Sequence, residues 1–185
     1  FEKIKFQVHN YFPPPKEPIV LNLASLNEDV FNKTHNHIIN ALKTCKKLGS
    51  DFYSFHAGFL CDLKVSELGK RVEKKKLQNR DKSIQLFIDR VNEISKIAKD
   101  YNVNLMIENN VLSKNNLENF QGNPFLMCDS SECKKIITNS PENVKLLVDV
   151  AHLKVSARSL SFDKEKPIFK TETQSYVFDK AVIAC

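Results

Sequence analysis

Four apolar segments of the sequence each end in a residue type that can bind a metal ion. Their last residues are His9, His56, Glu108 and Asp149, and His152 follows Asp149 three positions later. A buried strand does not by itself require a polar side chain at its end. Because the feature recurs four times, we predict that these strand ends converge on one metal site.

The five residues supply imidazole nitrogens and carboxylate oxygens. Divalent ions of the group Zn, Mn, Mg and Co accept such ligands, so we expect one of them as the cofactor, held by His9, His56, Glu108 and Asp149. Each residue alone has a plainer explanation. A histidine at a strand end can be a hydrogen-bonded structural residue, and an acidic residue there can cap the next helix. The metal hypothesis therefore depends on the recurrence.

The segments between these residues predict strands that alternate with helices. The clearest helix runs from about residue 80 to residue 99, with one apolar stripe formed by Ile84, Phe87, Val91, Ile94 and Ala98. The predicted strands are 3–9, 51–56, 103–108 and 144–149. This alternation predicts βα units and a parallel sheet, and barrels built from such units carry their chemistry at the carboxyl ends of the strands.

Local signals mark the first long helix. Ser25, with Glu28 three residues later, forms a candidate capping box, and Gly49 is suited to the position just after the helix end. His35 and His37 fall inside this helix. We expect both to be surface histidines, because they cannot share its buried face.

At 185 residues the chain fits one domain, which we assign to residues 1–160. Residues 161–185 are a tail of uncertain structure, in which 176–178 and 181–184 could each form a short strand. Residues 156–161 are expected to form a loop. The chain opens on Phe1 rather than Met, so we expect it to be processed, trimmed or a fragment.

Composition places the chain among globular proteins, with 42% hydrophobic and 27% charged residues. No apolar run reaches the 18 residues of a membrane span and no signal peptide is visible, which predicts a cytoplasmic protein with no membrane partner. The five cysteines are odd in number and irregularly spaced, and we expect reduced thiols. The net charge of +6 is compatible with a nucleic-acid partner, but lysines spread over helix surfaces explain it more simply.

A stiff loop follows the first strand. Residues 10–18 contain four prolines, which exclude both a helix and a central strand. The same loop carries Tyr11 and Phe12. These two side chains either line a pocket or simply pack the loop onto the domain.

Several of these segments together resemble the xylose isomerase-like TIM-barrel superfamily, which includes sugar phosphate isomerases and epimerases and abasic-site nucleases of the endonuclease IV type. The resemblance covers roughly residues 4–160. The segments that carry it are Val8-His9 with Leu21-Asn22-Leu23-Ala24-Ser25, Phe55-His56-Ala57-Gly58, Ile107-Glu108-Asn109 and Asp149-Val150-Ala151-His152. It implies an α/β fold, a (β/α) TIM barrel that is partial here, with about strands three to six of eight.

The resemblance also implies roles for individual residues. Glu108 and Asp149 match carboxylate ligands common to both branches, and His9 and His56 match histidines that hold a zinc in the nuclease branch. His152 matches a further zinc ligand there, whereas in the epimerase branch its position contacts the substrate. The implied catalytic residues are Glu108 and His152. The implied substrate-binding residues are His9 and His152, joined by Tyr11 from the proline-rich loop.

Three functions remain open on the sequence. The favoured one is a metal-dependent isomerase or epimerase of a small sugar or sugar phosphate. The alternative is a zinc-dependent AP endonuclease with DNA as its partner, although no glycine follows the Ile107-Glu108-Asn109 segment as is usual in that branch. The third is a non-catalytic barrel fragment, because no histidine follows His152 to complete the expected metal ligands.

Overall fold

A computed structural model describes residues 6–160 and 181–184 of the chain. Strands and helices alternate along it, as the apolar pattern predicts. In chain order the elements are β1 (Val8–His9), α1 (Glu28–Leu48), β2 (Phe52–His56), a short 3-10 helix (Val65–Glu67), α2 (Arg80–Asp100), β3 (Asn104–Glu108), α3 (Lys114–Phe120), α4 (Ser130–Thr138), β4 (Val144–Asp149), α5 (Val150–Leu160) and β5 (Ala181–Ala184).

The strands form one parallel sheet in the order β1-β2-β3-β4-β5. The register places His56 beside Glu108 and Glu108 beside Leu147, so the carboxyl ends of the strands lie along one edge. Strands occur at all four predicted positions, which confirms an α/β fold with a parallel sheet, but the first is shorter than predicted: β1 comprises only Val8–His9, and residues 3–5 lie outside the described residues. β5 coincides with the possible strand at 181–184, whereas the one at 176–178 lies outside the described residues.

Burial on both faces explains the composition of the central strands. In β3, every residue from Leu105 to Glu108 is buried, and the run is apolar except for its last residue. Helices α1, α2 and α4 contact the sheet. The predicted stripe of α2 is buried throughout, as expected for the face of an amphipathic helix that packs on a core.

The predicted start of the first helix is wrong by two residues. Asn27, not Ser25, is the N-cap, and its side chain accepts hydrogen bonds from the N–H groups of Asp29 and Val30. The Ser25 hydroxyl instead donates to Asp62 at 2.9 Å. Asparagine caps a helix as well as serine does, so a tertiary contact decides between them. Gly49 ends the helix with a φ of 65°, as predicted.

Residues 156–160 form part of helix α5 rather than the expected loop. Serine side chains can also bond to backbone groups outside helices, so a segment with several serines carries a weak local signal for a helix. In the structure, the Ser156 hydroxyl is buried and accepts a hydrogen bond from the N–H of Leu112 at 2.9 Å, while the Ser159 hydroxyl donates to the carbonyl of Val155 within the helix. Both serines are thus satisfied inside a helix.

Cys45, Cys61, Cys128 and Cys133 are free and buried, in agreement with the expectation of reduced thiols, and Cys185 lies outside the described residues. Burial raises the pKa of all four thiols. They therefore pack as small apolar groups. Among the described helices, none combines the length and the apolar character that a membrane span needs.

Candidate metal centre

Parallel strands bring the predicted ligands to one edge of the sheet. His9, His56, Glu108 and Asp149 are the last residues of β1, β2, β3 and β4, and His152 lies in the first turn of α5. The predicted convergence of four strand ends is therefore found in the structure.

Glu108 is the centre of the group. Its Oε2 lies 3.6 Å from His9 Nε2 and 3.7 Å from His56 Nδ1, and its Oε1 lies 3.5 Å from His152 Nδ1. The carboxylate is almost fully buried, with 5% of its side-chain surface exposed, whereas the His9 side chain is 49% exposed. The site is thus a buried acid surrounded by three imidazoles, with one side open.

Two overlapping sets of side chains could hold a metal ion. One is His9, His56 and Glu108, and the other is Glu108, Asp149 and His152. Within each set the ligand atoms lie within 4.8 Å of one another. Glu108 belongs to both, so it is the one residue on which either arrangement depends.

Hydrogen bonds from neighbouring groups orient the imidazoles. His9 Nδ1 lies 2.8 Å from the Ser54 hydroxyl, and His152 Nδ1 lies 2.9 Å from the carbonyl of Asn109. Each bond leaves the Nε2 atom of the ring available. Ligating histidines in metalloproteins are held in this way, with one nitrogen on a supporting partner and the other toward the metal.

Asn109 also joins the two acidic strand ends. Its side-chain oxygen accepts a hydrogen bond from the N–H of Asp149 at 2.7 Å, and its amide nitrogen donates to the Asp149 carbonyl at 3.3 Å. The supporting roles of Asn109 and Ser54 were not predicted from the sequence. The signal for Ser54 was a small polar side chain between the aromatic residues of the strand Phe52–His56.

Two buried atoms of this group have no hydrogen-bond partner among the described residues. They are Glu108 Oε2 and His56 Nδ1. An unpaired buried polar atom costs roughly 1–3 kcal/mol, so such atoms usually have a partner that completes them. A carboxylate oxygen and an imidazole nitrogen 3.7 Å apart are both metal ligands, and the residues therefore fit a divalent ion.

Burial sets the protonation states of the site. Desolvation, followed by repulsion from Asp149, raises the pKa of Glu108 to about 7. Desolvation, followed by the neighbouring His152, lowers the pKa of His56 to about 4, and desolvation also lowers the pKa of His9. These two histidines are therefore neutral at pH 7, as metal ligation requires.

The pKa of Asp149 is lowered. Burial acts in the opposite direction, but it is outweighed by the hydrogen bond from the N–H of His152 and by the charge of that histidine. Glu108 and Asp149 thus have pKa values displaced in opposite directions. Of the two carboxyl groups, Asp149 holds the negative charge and Glu108 holds the proton at slightly acidic pH.

Tyr11 lies outside the ligand group but faces the same space. A cavity of about 590 Å³ is lined by Tyr11, His56 and His152 together with loop residues. Tyr11 therefore lies where a pocket wall was predicted. Phe12 is not among the lining residues and is half exposed.

The expectation that His37 is a surface histidine is wrong. The residue is buried, and its Nε2 lies 2.9 Å from the carbonyl of Asn10. The Tyr53 hydroxyl donates to the same carbonyl at 2.8 Å. Asn10 has a φ of 45° and directly follows His9, so the two bonds stabilise the turn that ends β1 at the site. His35 is partly exposed and contacts Phe31.

Solved structures with the same fold include several sugar-modifying enzymes. A D-tagatose 3-epimerase-like protein has 20% identity and a TM-score of 0.58, with 90% of this chain and 54% of that chain covered. D-psicose 3-epimerase from Clostridium cellulolyticum H10, solved with D-tagatose, has 18% identity and a TM-score of 0.53, with 73% and 41% covered. The IolI protein, solved with a zinc atom, has 16% identity and a TM-score of 0.52, with 80% and 40% covered.

At these identities the likeness concerns the fold. The chain spans about half the length of the solved structures that it matches. A search of curated proteins gave no match. The family model described as xylose isomerase-like TIM barrel matches residues 2–173. This match covers most of the sequence and agrees with the parallel sheet and with the motifs at its strand ends, and the chain therefore belongs to the xylose isomerase-like TIM barrel family.

Proposed function

We propose that the protein is a divalent metal-dependent isomerase or epimerase that acts on a small sugar or sugar phosphate. The main support is the position of Glu108, a buried carboxylate with three imidazole nitrogens within 3.7 Å. The fold supports the same class, since D-psicose 3-epimerase is among the solved structures that share it.

We assign the metal to His9, His56, Glu108 and Asp149. A divalent ion bound by these residues would polarise the carbonyl of a sugar and the hydroxyl on the adjacent carbon. This polarisation would make the hydrogen on that adjacent carbon more acidic. The four ligands come from four different strands, so the sheet itself determines their spacing. The side chain of His9 is half exposed, so the group is open to solvent on that side.

The two oxygens of Glu108 have different neighbours, and this suggests separate tasks. Oε2 lies between His9 and His56 and is suited to ligation, whereas Oε1 faces His152. Without a metal, burial raises the pKa of Glu108 to about 7, so this carboxylate is intrinsically a stronger base than an exposed glutamate. We assign Oε1 to the transfer of the carbon-bound proton.

His152 and Tyr11 are assigned to substrate binding. His152 Nδ1 is held by the Asn109 carbonyl, and its ring lines the cavity. Its Nε2 can therefore contact a substrate hydroxyl close to Glu108. Tyr11 contributes a phenol to the same cavity from the proline-rich loop, where it can hydrogen-bond a polyol and pack on its carbon chain.

A second candidate function is supported by the number of histidines. Three imidazoles and two carboxylates can also hold zinc for the hydrolysis of a phosphodiester, as in an AP endonuclease acting on abasic DNA. The basic net charge of +6 is compatible with that partner.

The deciding experiment uses protein stripped of metal and reloaded with Zn²⁺, Mn²⁺, Co²⁺ or Mg²⁺. Ketoses and ketose phosphates are incubated in D₂O, and NMR follows deuterium entering the carbon next to the carbonyl. We expect metal-dependent exchange that is lost in Glu108→Gln and kept in the surface control Glu118→Gln. A DNA duplex with one abasic site is assayed in parallel. Nicking without exchange would establish the second function, and metal binding without either activity would indicate a non-catalytic protein.

A further inference from the structure

We propose that the cavity beside the metal centre takes a sugar phosphate monoester, with the phosphate bound by Lys70 and Arg71. The inference rests on the proposed function, which places the sugar at the metal centre. It goes beyond that function by naming the sugar phosphate, rather than the free sugar, as the substrate. Lys70 and Arg71 belong to the loop between the 3-10 helix and α2, which carries none of the candidate metal ligands.

One cavity is lined both by histidines at the strand ends and by the two cations of the loop. Its volume of about 590 Å³ is bounded by His56 and His152 at the strand ends and by Lys70 and Arg71 on the loop. Sites for small molecules in proteins occupy roughly 300–1,000 Å³. A single small ligand can therefore contact the strand ends and the loop at the same time.

The charge along the cavity wall is positive on the loop side. Among the described lining residues, Glu67 is the one carboxylate, and its oxygens are already used. They accept from the N–H groups of Lys64 and Glu73 at 2.6 and 2.8 Å, and from Lys75 Nζ at 2.6 Å. Within the described chain, no carboxylate lies within ion-pair distance of Lys70 or Arg71.

Much of the remaining wall is apolar, with contributions from Leu21, Phe59, Leu63, Val72, Phe125 and Val155. Apolar walls exclude water and reduce the screening between the two cations and a bound anion. Lys70 and Arg71 are both exposed, so this reduction in screening applies once a bound ligand displaces the water around them.

The loop that carries the cations is docked on helix α3. Asn116 Oδ1 accepts from the N–H of Val72 at 2.9 Å, and Asn116 Nδ2 donates to the Lys70 carbonyl at 3.4 Å. Asn119 Nδ2 donates to the Val72 carbonyl at 2.8 Å, and Asn119 Oδ1 accepts from Arg71 Nη2 at the same distance. These bonds fix the backbone of the loop and the Arg71 guanidinium before a ligand arrives, which lowers the entropy lost on binding.

Phosphate is the anion that best matches the pair. A phosphate monoester carries a charge of about −1.5 to −2 at pH 7 and offers three acceptor oxygens. The guanidinium of Arg71 can bind two of these oxygens side by side, and the ammonium of Lys70 adds a second positive charge. A carboxylate would use the charge of the pair less fully.

The test measures binding, so it does not depend on turnover. Titration calorimetry on the metal-loaded protein compares D-fructose with D-fructose 6-phosphate, and D-ribulose with D-ribulose 5-phosphate. We expect at least one ester to bind ten-fold or more tightly than its free sugar. Lys70→Gln with Arg71→Gln should remove that preference and leave the affinity for the free sugar within two-fold. Lys76→Gln, which removes an exposed lysine of the same loop, should keep it.

Several results would overturn the proposal. They are equal affinity for ester and free sugar, no binding of either ester, an unchanged preference in the double variant, and D-fructuronate binding as tightly as fructose 6-phosphate. Tighter binding of an abasic DNA duplex than of either ester would also overturn it. Because Arg71 also bonds to Asn119, the single variant Lys70→Gln is measured as well, with a three-fold or greater loss expected.

The outcomes separate this inference from the proposed function. An ester that binds with the expected preference but shows no metal-dependent deuterium exchange supports the phosphate site and contradicts the isomerase. Exchange on free sugars without any preference for esters supports the isomerase and contradicts the phosphate site.

Discussion

The Asp149 carboxylate accepts a hydrogen bond from the backbone N–H of His152 at 2.9 Å. A side-chain bond to the N–H group three residues later is the bond of an N-cap, so Asp149 stabilises the start of helix α5. The same carboxylate contributes a candidate metal ligand together with Glu108 and His152. One side chain thus connects the end of β4, the start of α5 and the metal centre.

Replacing Asp149 should separate these roles. Asp149→Ala removes ligand and cap together, and we expect loss of bound metal with a decrease of about 0.5–2 kcal/mol in the free energy of unfolding of the metal-free protein. Asp149→Asn keeps a capping oxygen, so it should lose metal with much less destabilisation. Elemental analysis and urea unfolding of both variants provide the comparison. Unchanged metal content in both would exclude Asp149 as a ligand.

Metal binding should release a proton in a pH-dependent way. The raised pKa of Glu108, about 7, means that metal-free protein at pH 6 holds a proton there, whereas His56, with its pKa lowered to about 4, is neutral. A metal must displace the proton of Glu108, so its affinity should rise as the pH increases toward 7 and then level off.

Calorimetric titration of Zn²⁺ into metal-free protein, in buffers of different ionisation enthalpy, counts the protons released. We expect about one per metal from Glu108 at pH 6 and none from it at pH 8.5, since the carboxylate is then already ionised. Glu108→Gln serves as the control: it has no proton to release at this position, so any metal that it still binds should release about one proton fewer at pH 6. Equal release by wild type and variant at pH 6 would contradict the assignment.

Gly58 should not tolerate a side chain. A Cβ atom there would lie 2.8 Å from Ala24 Cβ and 3.2 Å from the backbone nitrogen of the same residue. Because the close atoms belong to or adjoin the backbone, they cannot easily move. Gly58→Ala should therefore lower the free energy of unfolding by about 1–3 kcal/mol.

The matched control is Gly122→Ala. A Cβ atom at Gly122 would have no atom within 4 Å, and its φ is not positive, so the change should stay within about 0.5 kcal/mol. Thermal or urea unfolding of the two variants measures the difference. Similar stability of both would show that residues near Ala24 rearrange freely.

The ion pair between Arg80, the first residue of α2, and Glu132 of α4 should contribute strongly to stability. Arg80 binds both oxygens of Glu132 at 2.9 Å and donates to the carbonyls of Asn123 and Phe125 at 2.8 Å. Glu132→Ala leaves the guanidinium with its two carbonyl partners but without a counter-charge, and it should cost roughly 3 kcal/mol, the lower end for a buried pair, because Arg80 is one-third exposed.

The exposed pair between Asp81 and Lys135 is the comparison. Its atoms lie 3.3 Å apart on side chains that are more than half exposed, so Asp81→Asn should change the free energy of unfolding by less than about 1 kcal/mol. Urea unfolding of both variants tests the contrast. A cost for Glu132→Ala as small as that for Asp81→Asn would mean that solvent screens the Arg80 pair equally.

The elements with strong local periodicity could be predicted from the sequence. Strand β4 has the predicted bounds, Val144–Asp149, and the apolar stripe of α2 is buried as expected. The ligand group could also be predicted, because parallel strands must end at one edge and each predicted strand ended in a ligand type. Periodicity and strand direction are properties of local sequence, and they suffice for these conclusions.

Other features depend on contacts between distant residues. His37 is buried because the Asn10 carbonyl, 27 residues away, accepts its hydrogen bond, and Ser25 does not cap α1 because Asp62 accepts the hydrogen of its hydroxyl. Residues 156–160 are helical, and in this helix the Ser156 hydroxyl accepts a hydrogen bond from the N–H of Leu112, which is 44 residues away in the sequence. Local propensity contains no information about such partners.

The alternation of strands and helices and the identity of the candidate ligands follow from the amino-acid sequence alone. The folded chain was needed to show that Glu108 lies at their centre, that burial raises its pKa, and that Lys70 and Arg71 share a cavity with His56 and His152. The physical reason is that burial, desolvation and the distance between charges are set by packing among segments far apart in the chain.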